Sequence, residues 1–198
     1  MPQVIHQPCK RCKLAKTAYT VCMQGYGSGT PKLIIFLDNP SQEEDRRHKI
    51  GEGKYIRLVI WMMERMSIPP SEYRIEYSIK CHAEPTDLKT IAAFEQPLSA
   101  CGIHRFASLQ KFKPKAIVGL GRLTCRAFLG SLDQGEFEGT SWPTHGDRTI
   151  WIGYNPAYAF QNPSEALRIY RVLFAAALEA KLKPKFNIKS KPFDFDQI

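Results

Sequence analysis

The chain has 198 residues, a length that fits one domain with a sizeable core. It has no apolar run long enough to cross a membrane and no signal-peptide core at its start, so we expect a cytoplasmic protein that does not enter membranes. The formal net charge of +9 disfavours a basic partner and favours a polyanion, for which nucleic acid is the default. We expect a monomer, associated with the nucleoid in a bacterial or viral setting.

The first predicted strand is the continuous apolar run LIIFL at 33–37, which ends in Asp38-Asn39-Pro40-Ser41. A strand without polar residues predicts a sheet that is covered on both faces. Open α/β sheets bind their ligands at the C-terminal ends of strands, so the polar residues that follow this strand are candidate site residues. A charged loop is predicted over 42–53, and a helix over 54–66.

Three further strands are predicted along the chain, at 73–79, 116–121 and 149–153. A helical region with a kink at Pro97 is expected before the third strand, a short helix over 122–129, and a last helix from a cap at Ser164 to 182. Strands that alternate with helices predict a three-layer α/β/α domain, with a central, mainly parallel sheet of four strands. We assign residues 1–182 to this domain and 183–198 to a flexible tail.

Four of the six cysteines have a pattern that is typical of a metal site. Cys9 and Cys12 form a C-x-x-C pair, which presents two sulfurs from one tight turn to one ion. Cys81 follows the second strand and Cys101 lies in the next helical region, so the site would tie the N-terminal arm to the α/β core. Four thiolates suit a tetrahedral zinc or an iron–sulfur cluster. The alternative is a surface C-x-x-C together with unrelated buried thiols.

Short motifs follow one another in a fixed order along the chain. They are the C-x-x-C, the loop Asp38-Asn39-Pro40-Ser41 followed by acidic residues, Lys80-Cys81, Cys101 in a helix, PKAIVGLG at 114–121, and Asn155-Pro156-Ala157-Tyr158. From Cys9 to about Leu178 this order resembles the iron–sulfur branch of the uracil-DNA glycosylase superfamily, families 4 and 5. The resemblance implies that Cys9, Cys12, Cys81 and Cys101 bind a [4Fe–4S] cluster with a structural role, zinc being the second choice.

The chain departs from families 4 and 5 at the base pocket. Those families have a small or acidic residue at the position of Asn39 and a histidine at that of Asn155. The two Asn-Pro pairs, Asn39-Pro40 and Asn155-Pro156, are more similar to loops of relatives that act on mismatched bases. Gly51 aligns with the aromatic that stacks on the flipped uracil, and Thr86 falls near the asparagine that reads the uracil edge. The resemblance therefore implies a retained fold and cluster with an altered pocket.

The chemistry of base excision gives these residues roles. The base must be flipped out of the duplex, a water must be placed near the sugar carbon, and charge on the leaving base must be stabilised. We expect Asn39 to orient the water beside the Asp38 carboxylate, and Asn155 to donate to a base oxygen or a phosphodiester. The neighbouring candidates for base or DNA binding are Pro40, Ser41, Gly51, Thr86, Pro156 and Tyr158. A plain turn after a strand is the alternative for both Asn-Pro pairs.

Two classes of function remain open at this point. One is a DNA glycosylase that excises a uracil or a modified or mismatched base in base excision repair. The other is a catalytically degenerate glycosylase fold that binds DNA as an accessory of replication or another DNA transaction. A zinc-stabilised DNA-binding protein of unrelated fold is a third possibility.

Residues 181–191 carry five lysines, and residues 193–198 have the sequence FDFDQI. Lysines on a flexible segment can follow phosphates without a fixed structure. The terminal hexapeptide is similar to short aromatic-acidic peptides that dock replication proteins onto a sliding clamp or a single-strand-binding protein. The alternative is that Phe193 and Phe195 pack on the core of the domain itself.

Overall fold

The structure is a computed structural model, and it describes residues 9–84, 90–144, 148–186 and 192–195. Within them the chain is mixed α/β, with one six-stranded sheet. Its strands are β1 (Tyr26–Gly27), β2 (Leu33–Leu37), β3 (Tyr73–Tyr77), β4 (Ala116–Leu120), β5 (Ser141–Thr144) and β6 (Arg148–Gly153). The spatial order is β1-β3-β2-β4-β6-β5.

The prediction of a four-stranded sheet is wrong in the number of strands. The four central strands are the predicted ones and run parallel to one another. Each edge carries one further strand in antiparallel orientation, β1 beside β3 and β5 beside β6. These two strands satisfy backbone groups that the outer parallel strands would otherwise leave unpaired. Neither strand is an apolar run, so the sequence pattern did not reveal them.

The described residues contain eight α-helices, of which six lie between strands and two follow β6. They are α1 (Gln42–Arg47), α2 (Lys54–Arg65), α3 (Ile91–Ala100), α4 (Gly102–Phe112), α5 (Arg122–Leu129), α6 (Gln134–Phe137), α7 (Ala157–Gln161) and α8 (Ala166–Glu179). The predicted charged loop begins instead as α1, because Ser41 and Glu44 form a reciprocal capping box at its start. Ser164 does not cap the last helix. It lies in a 3-10 turn at Pro163–Glu165 that Asn162 caps.

Both faces of the sheet are covered by helices, as the apolar sequence of β2 predicts. Leu33, Ile35 and Leu37 of this strand pack into a core with apolar residues of α2 and α8. Ile34 and Phe36 point to the other face, where they contact residues of α4 and α5. Because every residue of the strand is buried on one face or the other, no polar alternation appears in its sequence.

The order of the parallel strands creates a crevice at their carboxyl ends. The chain passes from β2 to β3 on one side, and then crosses back to β4 on the other side of β2. Because the chain leaves these neighbouring strands in opposite directions, a crevice forms outside the carboxyl ends of β2 and β4. Open α/β sheets bind their ligands in such a crevice. The loops after these two strands begin at Asp38 and Gly121.

Part of the C-terminal tail lies against the domain. The ring of Phe193 is 5.6 Å from Trp61 of α2, and the ring of Phe195 is 5.3 Å from Phe160 of α7, measured between centroids. The two tail rings also contact each other, at 5.0 Å. This is the self-packing arrangement of the two alternatives above, whereas docking onto a replication protein stays a prediction.

Among the residues that the structure describes, no helix has the length and apolar character needed to span a membrane.

Candidate functional site

Asp38 lies in the crevice between β2 and β4, with its carboxylate over the start of α5. Its Oδ1 accepts hydrogen bonds from the backbone N–H of Thr124, at 2.9 Å, and from the Thr124 hydroxyl, at 3.1 Å. The close approach of the Asp38 carboxylate to the start of α5 requires a glycine at position 121. There φ is +120°, and a Cβ atom would lie 2.3 Å from Asp38 Oδ2. The free N–H groups and dipole of the helix start favour a negative charge here.

Asn155 is held by the same carboxylate. Asp38 Oδ2 accepts a hydrogen bond from Asn155 Nδ2 at 3.0 Å, and Asn155 Oδ1 accepts one from the backbone N–H of Ala157 at 2.9 Å. Burial raises the pKa of Asp38, although the hydrogen bonds from Thr124 and Asn155 and the charge of Arg122 act against this shift. The second amide hydrogen of Asn155 has no partner among the described residues and points to a role as donor.

Asn39 joins the loop after β2 to the loop after β3. Its Nδ2 donates to the carbonyl of Pro40, at 3.0 Å, and to that of Ala83, at 3.5 Å. The Pro40 carbonyl also accepts from His82 Nδ1, at 2.8 Å. Both amide hydrogens of Asn39 are thus used inside the protein. Within the described residues its Oδ1 has no donor, so this oxygen is available to a water molecule.

Glu44 is a buried carboxylate that the sequence analysis missed as a site residue. It accepts hydrogen bonds from the backbone N–H and hydroxyl of Ser41, from the N–H of Gly51 at 3.0 Å and from the Tyr77 hydroxyl at 2.7 Å. Burial and the charge of Glu44 raise the pKa of Tyr77 well above its ordinary value. The spacing Ser41-x-x-Glu44 is a capping-box pattern, which was the available signal in the sequence.

A cavity of about 20 Å³ lies between these loops, room for about one water molecule. Five of the predicted residues line it, namely Asp38, Asn39, Ser41, Asn155 and Pro156, and Glu44, Tyr55 and Tyr77 add to its wall. Pro40, Gly51 and Tyr158 do not line it, and Thr86 lies outside the described residues. The Gly51 amide is engaged by Glu44, and the aromatic surface of the wall comes from Tyr55 and Tyr77 instead. A pocket for a base is far larger, so the cavity would have to open to admit one.

Tyr158 forms an exposed aromatic surface beside the cavity. It is 46% exposed, and its ring lies 5.4 Å from that of Tyr154. The Arg168 guanidinium covers Tyr154 at 4.9 Å from the ring centre. An exposed aromatic with a neighbouring cation at the sheet edge is suited to contact with a nucleic acid.

The structure brings the predicted cysteine ligands into one region. Cys81 and Cys101 are buried in an apolar cluster against which Cys12 packs. Burial raises the pKa of Cys81 to about 12 and raises that of Cys101, and both thiols are close enough to Cys12 for its charge to add to the shift. Cys9 acts on Cys101 in the same way. A bound metal cation would reverse this effect, because it stabilises thiolates.

The donor chemistry of this region fits an iron–sulfur cluster. The backbone N–H of Cys22 points at the Cys81 sulfur, at 3.4 Å, and that of Lys80 at the Cys101 sulfur, at 3.5 Å. Such N–H groups are the second layer of contacts that orients and tunes sulfur ligands. In the described part of the chain, however, no three His, Cys, Asp or Glu side chains have the compact arrangement of a metal site. The cluster therefore stays a prediction.

Cys22 is not one of the four predicted ligands, but it lies near Cys81, toward whose sulfur its backbone N–H points. It is half-buried, has a positive φ of 59°, and its sulfur lies 3.6 Å from His104 Nε2.

A comparison of the sequence with known families gave no matching family model.

Proposed function

We propose that this protein is a DNA glycosylase, related to the iron–sulfur branch of the uracil-DNA glycosylase superfamily. It flips a uracil or a modified or mismatched base out of DNA and hydrolyses the N-glycosidic bond. The observation that carries the proposal is the convergence of Asp38, Asn39 and Asn155 around a water-sized cavity in the crevice between β2 and β4. The charge of +9 supports DNA as the partner.

The chemistry divides among the three residues. In the reaction the bond from the sugar C1′ to the base breaks and the electron pair leaves with the base. A water oxygen bonds to C1′, and the proton that it gives up is taken up by the anionic base. Asn39 Oδ1 accepts a hydrogen bond from that water and orients it, although an amide is a poor base. Asn155 uses its remaining amide hydrogen to stabilise negative charge on the base or on a phosphodiester. Asp38, with both oxygens already engaged, acts as the positioning residue for Asn155.

A second function has an observation of its own in its favour. The cavity is closed to the size of one water, and the Asp38 oxygens and the Asn39 amide hydrogens are satisfied within the protein. A site in this state suits a catalytically degenerate glycosylase fold that binds DNA as an accessory of replication or another DNA transaction. In that case the tail, which carries Phe193 and Phe195, is the candidate segment for a sliding clamp or single-strand-binding protein.

Cys9, Cys12, Cys81 and Cys101 are the residues that would hold a [4Fe–4S] cluster. When bound, the cluster supplies metal–sulfur bonds that cross-link distant parts of the chain. These are the N-terminal arm, the end of β3 and the junction of α3 with α4. Its contribution is structural, since these cysteines do not line the cavity at Asp38. Anaerobically purified protein should contain iron and absorb in the charge-transfer region, and stoichiometric zinc without iron would contradict the cluster.

The experiment that tests the function is a lesion panel. Labelled oligonucleotides that contain uracil, a thymine mismatch, hypoxanthine or a 5-modified pyrimidine are incubated with the protein and then cleaved with alkali. Alkali-labile sites at one or more of these bases support the glycosylase. Salt-dependent binding of the same oligonucleotides without any excision supports the accessory module instead. Absence of both would overturn the two functions together.

A further inference from the structure

A groove of about 830 Å³ lies in the cysteine region, on the face of the sheet that carries α4, and Cys9 and Cys22 are among its lining residues. Its floor includes alternate residues of β3 and the residue after Ile79, namely Arg74, Glu76 and Lys80. Glu76 is almost fully buried and accepts from Arg74 Nε through one oxygen and from Lys80 Nζ through the other, both at 2.6 Å. One carboxylate thus neutralises one of two cations, and the floor keeps a positive charge.

The rims of the groove are also basic. Lys10 and Arg11, the two residues inside the C-x-x-C pair, line one side, and Lys111 of α4 lines the groove as well. All three side chains are exposed. Among the described residues that line the groove there are five lysines and arginines but only one carboxylate, that of Glu76. An anionic ligand would therefore meet the exposed cations of the rims, whereas the ammonium of Lys80 on the floor is buried and held by Glu76 and the Met23 carbonyl.

Phe112, the aromatic residue that lines the groove, already contacts two cationic side chains. The ring of Phe112 is covered by the Arg74 guanidinium, at 4.5 Å from the ring centre, and by the Lys111 ammonium, at 5.1 Å. A ring engaged in this way does not offer a free face for a stacked base. The groove therefore favours a ligand recognised by its charge. Its volume of about 830 Å³ leaves room for more than one phosphate.

We propose that this groove binds the phosphodiester backbone of one nucleic-acid strand, and that the cysteine-held arm fixes Lys10 and Arg11 over it. The proposal rests on the proposed function in that DNA is the source of the strand. It concerns a separate site, since no residue lines both the groove and the cavity at Asp38. Because backbone contacts carry no sequence information, binding here should not depend on base composition.

The test compares paired charge removals on the full-length protein. Lys10→Gln/Arg11→Gln removes two cations of the groove, and Lys111→Gln removes one from another element. The control, Arg57→Gln/Arg171→Gln, removes two exposed cations of α2 and α8, which pack on the opposite face of the sheet. Binding of a fluorescein-labelled oligothymidylate and of a mixed-sequence oligonucleotide is measured by anisotropy at several salt concentrations, with polyglutamate as an alternative ligand. Iron content is measured for every variant.

The salt dependence decides between the outcomes. We expect the slope of log K against log salt to fall by about 0.7 for each lost contact to single-stranded DNA, so by about 1.4 in Lys10→Gln/Arg11→Gln and by less than half of that in the control. Equal slopes in the groove and control variants would overturn the proposal while leaving the glycosylase site untouched. Stronger competition by polyglutamate than by oligothymidylate would overturn it too. Wild-type protein that binds no DNA would remove both this proposal and the proposed function. If Lys10→Gln/Arg11→Gln loses iron, the proposal is tested by the slope of Lys111→Gln alone, compared with the slope of the control.

Discussion

The carboxylate of Asp38 is buried, and the groups around it act on its charge in opposite directions. Removal from water favours the neutral acid, whereas Thr124 and Asn155 donate three hydrogen bonds that favour the carboxylate. The net result is a raised pKa. The carboxylate can therefore hold Asn155 in place only at the cost of some stability at neutral pH.

This balance predicts the pH dependence of an Asp38→Asn variant. A carboxyl whose pKa is raised by folding stabilises the fold in its protonated form. That contribution is complete below the ordinary carboxyl range, near pH 4, and is lost as the pH rises through the value in the folded state. The Tm of wild type minus that of Asp38→Asn should therefore fall as the pH rises above about 4. A difference that does not change with pH would show that burial does not raise the pKa of Asp38.

Sequence patterns predicted some of the site residues and not others, for a physical reason. Asp38, Asn39 and Asn155 directly follow strands, and the ends of parallel strands meet at one edge of a sheet. Glu44 reaches the same cavity from α1 and Tyr55 reaches it from α2, and the turn between these helices passes through Gly51 and Gly53. A Cβ at Gly53 would lie 2.3 Å from the Ser41 hydroxyl oxygen, so the turn depends on close packing that no periodic pattern records.

At the scale of elements, α5 is the helix that supports the candidate site. It begins after Gly121, at the carboxyl end of β4, and ends at Gly130. Both glycines have positive φ, +120° and +78°, but their surroundings differ. A Cβ at Gly121 would collide with the Asp38 carboxylate, whereas nothing lies within 4 Å of a Cβ at Gly130.

Alanine substitutions of the two glycines that flank α5 therefore form a matched pair of variants. Gly130→Ala should cost the backbone strain alone, on the order of 1 kcal/mol of unfolding free energy. Gly121→Ala adds the collision with Asp38 to a similar strain, so we expect it to cost at least about 2 kcal/mol more. Urea denaturation of both variants measures the difference. Equal losses would mean that Asp38 can move away freely and is not held against the helix.

The sequence predicted those helices and strands whose buried side chains form a regular apolar pattern. The apolar run of β2 and the amphipathic sequence of α2 each predict their element, because packing selects the side chains. The strands β1 and β5 exist through backbone pairing at the sheet edges, and β5 contains a proline. The helix α1 has no apolar stripe, so its charged sequence gave no helical period. Such elements are fixed by their neighbours more than by their own residues.

At the scale of the whole molecule, the tail and the domain share one aromatic cluster. Phe193 and Phe195 contact Trp61 of α2 and Phe160 of α7, and Phe160 in turn contacts Tyr55 at 5.5 Å. Tyr55 is part of the cavity wall. The tail is thereby connected through ring contacts to the segment that carries Asn155, over a long distance in sequence.

Removal of the tail rings should therefore lower the stability of the domain. Phe193→Ala/Phe195→Ala deletes two partly buried rings, on the order of 2 kcal/mol in all, which corresponds to a fall in Tm of about 4–8 °C for a chain of this size. Deletion of residues 196–198, which keeps both rings, is the control. An unchanged Tm in the double variant would argue against self-packing, and a simultaneous loss of clamp or single-strand-binding-protein binding would favour docking.

The most direct test of the catalytic assignment is single-turnover excision by Asn39→Ala on a duplex that contains uracil opposite guanine. In the proposed mechanism Asn39 orients a water that matters only in the transition state, so its loss should lower the excision rate at least about 100-fold and leave DNA affinity nearly unchanged. The control Asn162→Ala removes an amide that caps the 3-10 turn before α8 and should keep the wild-type rate. Full activity in Asn39→Ala would contradict the account.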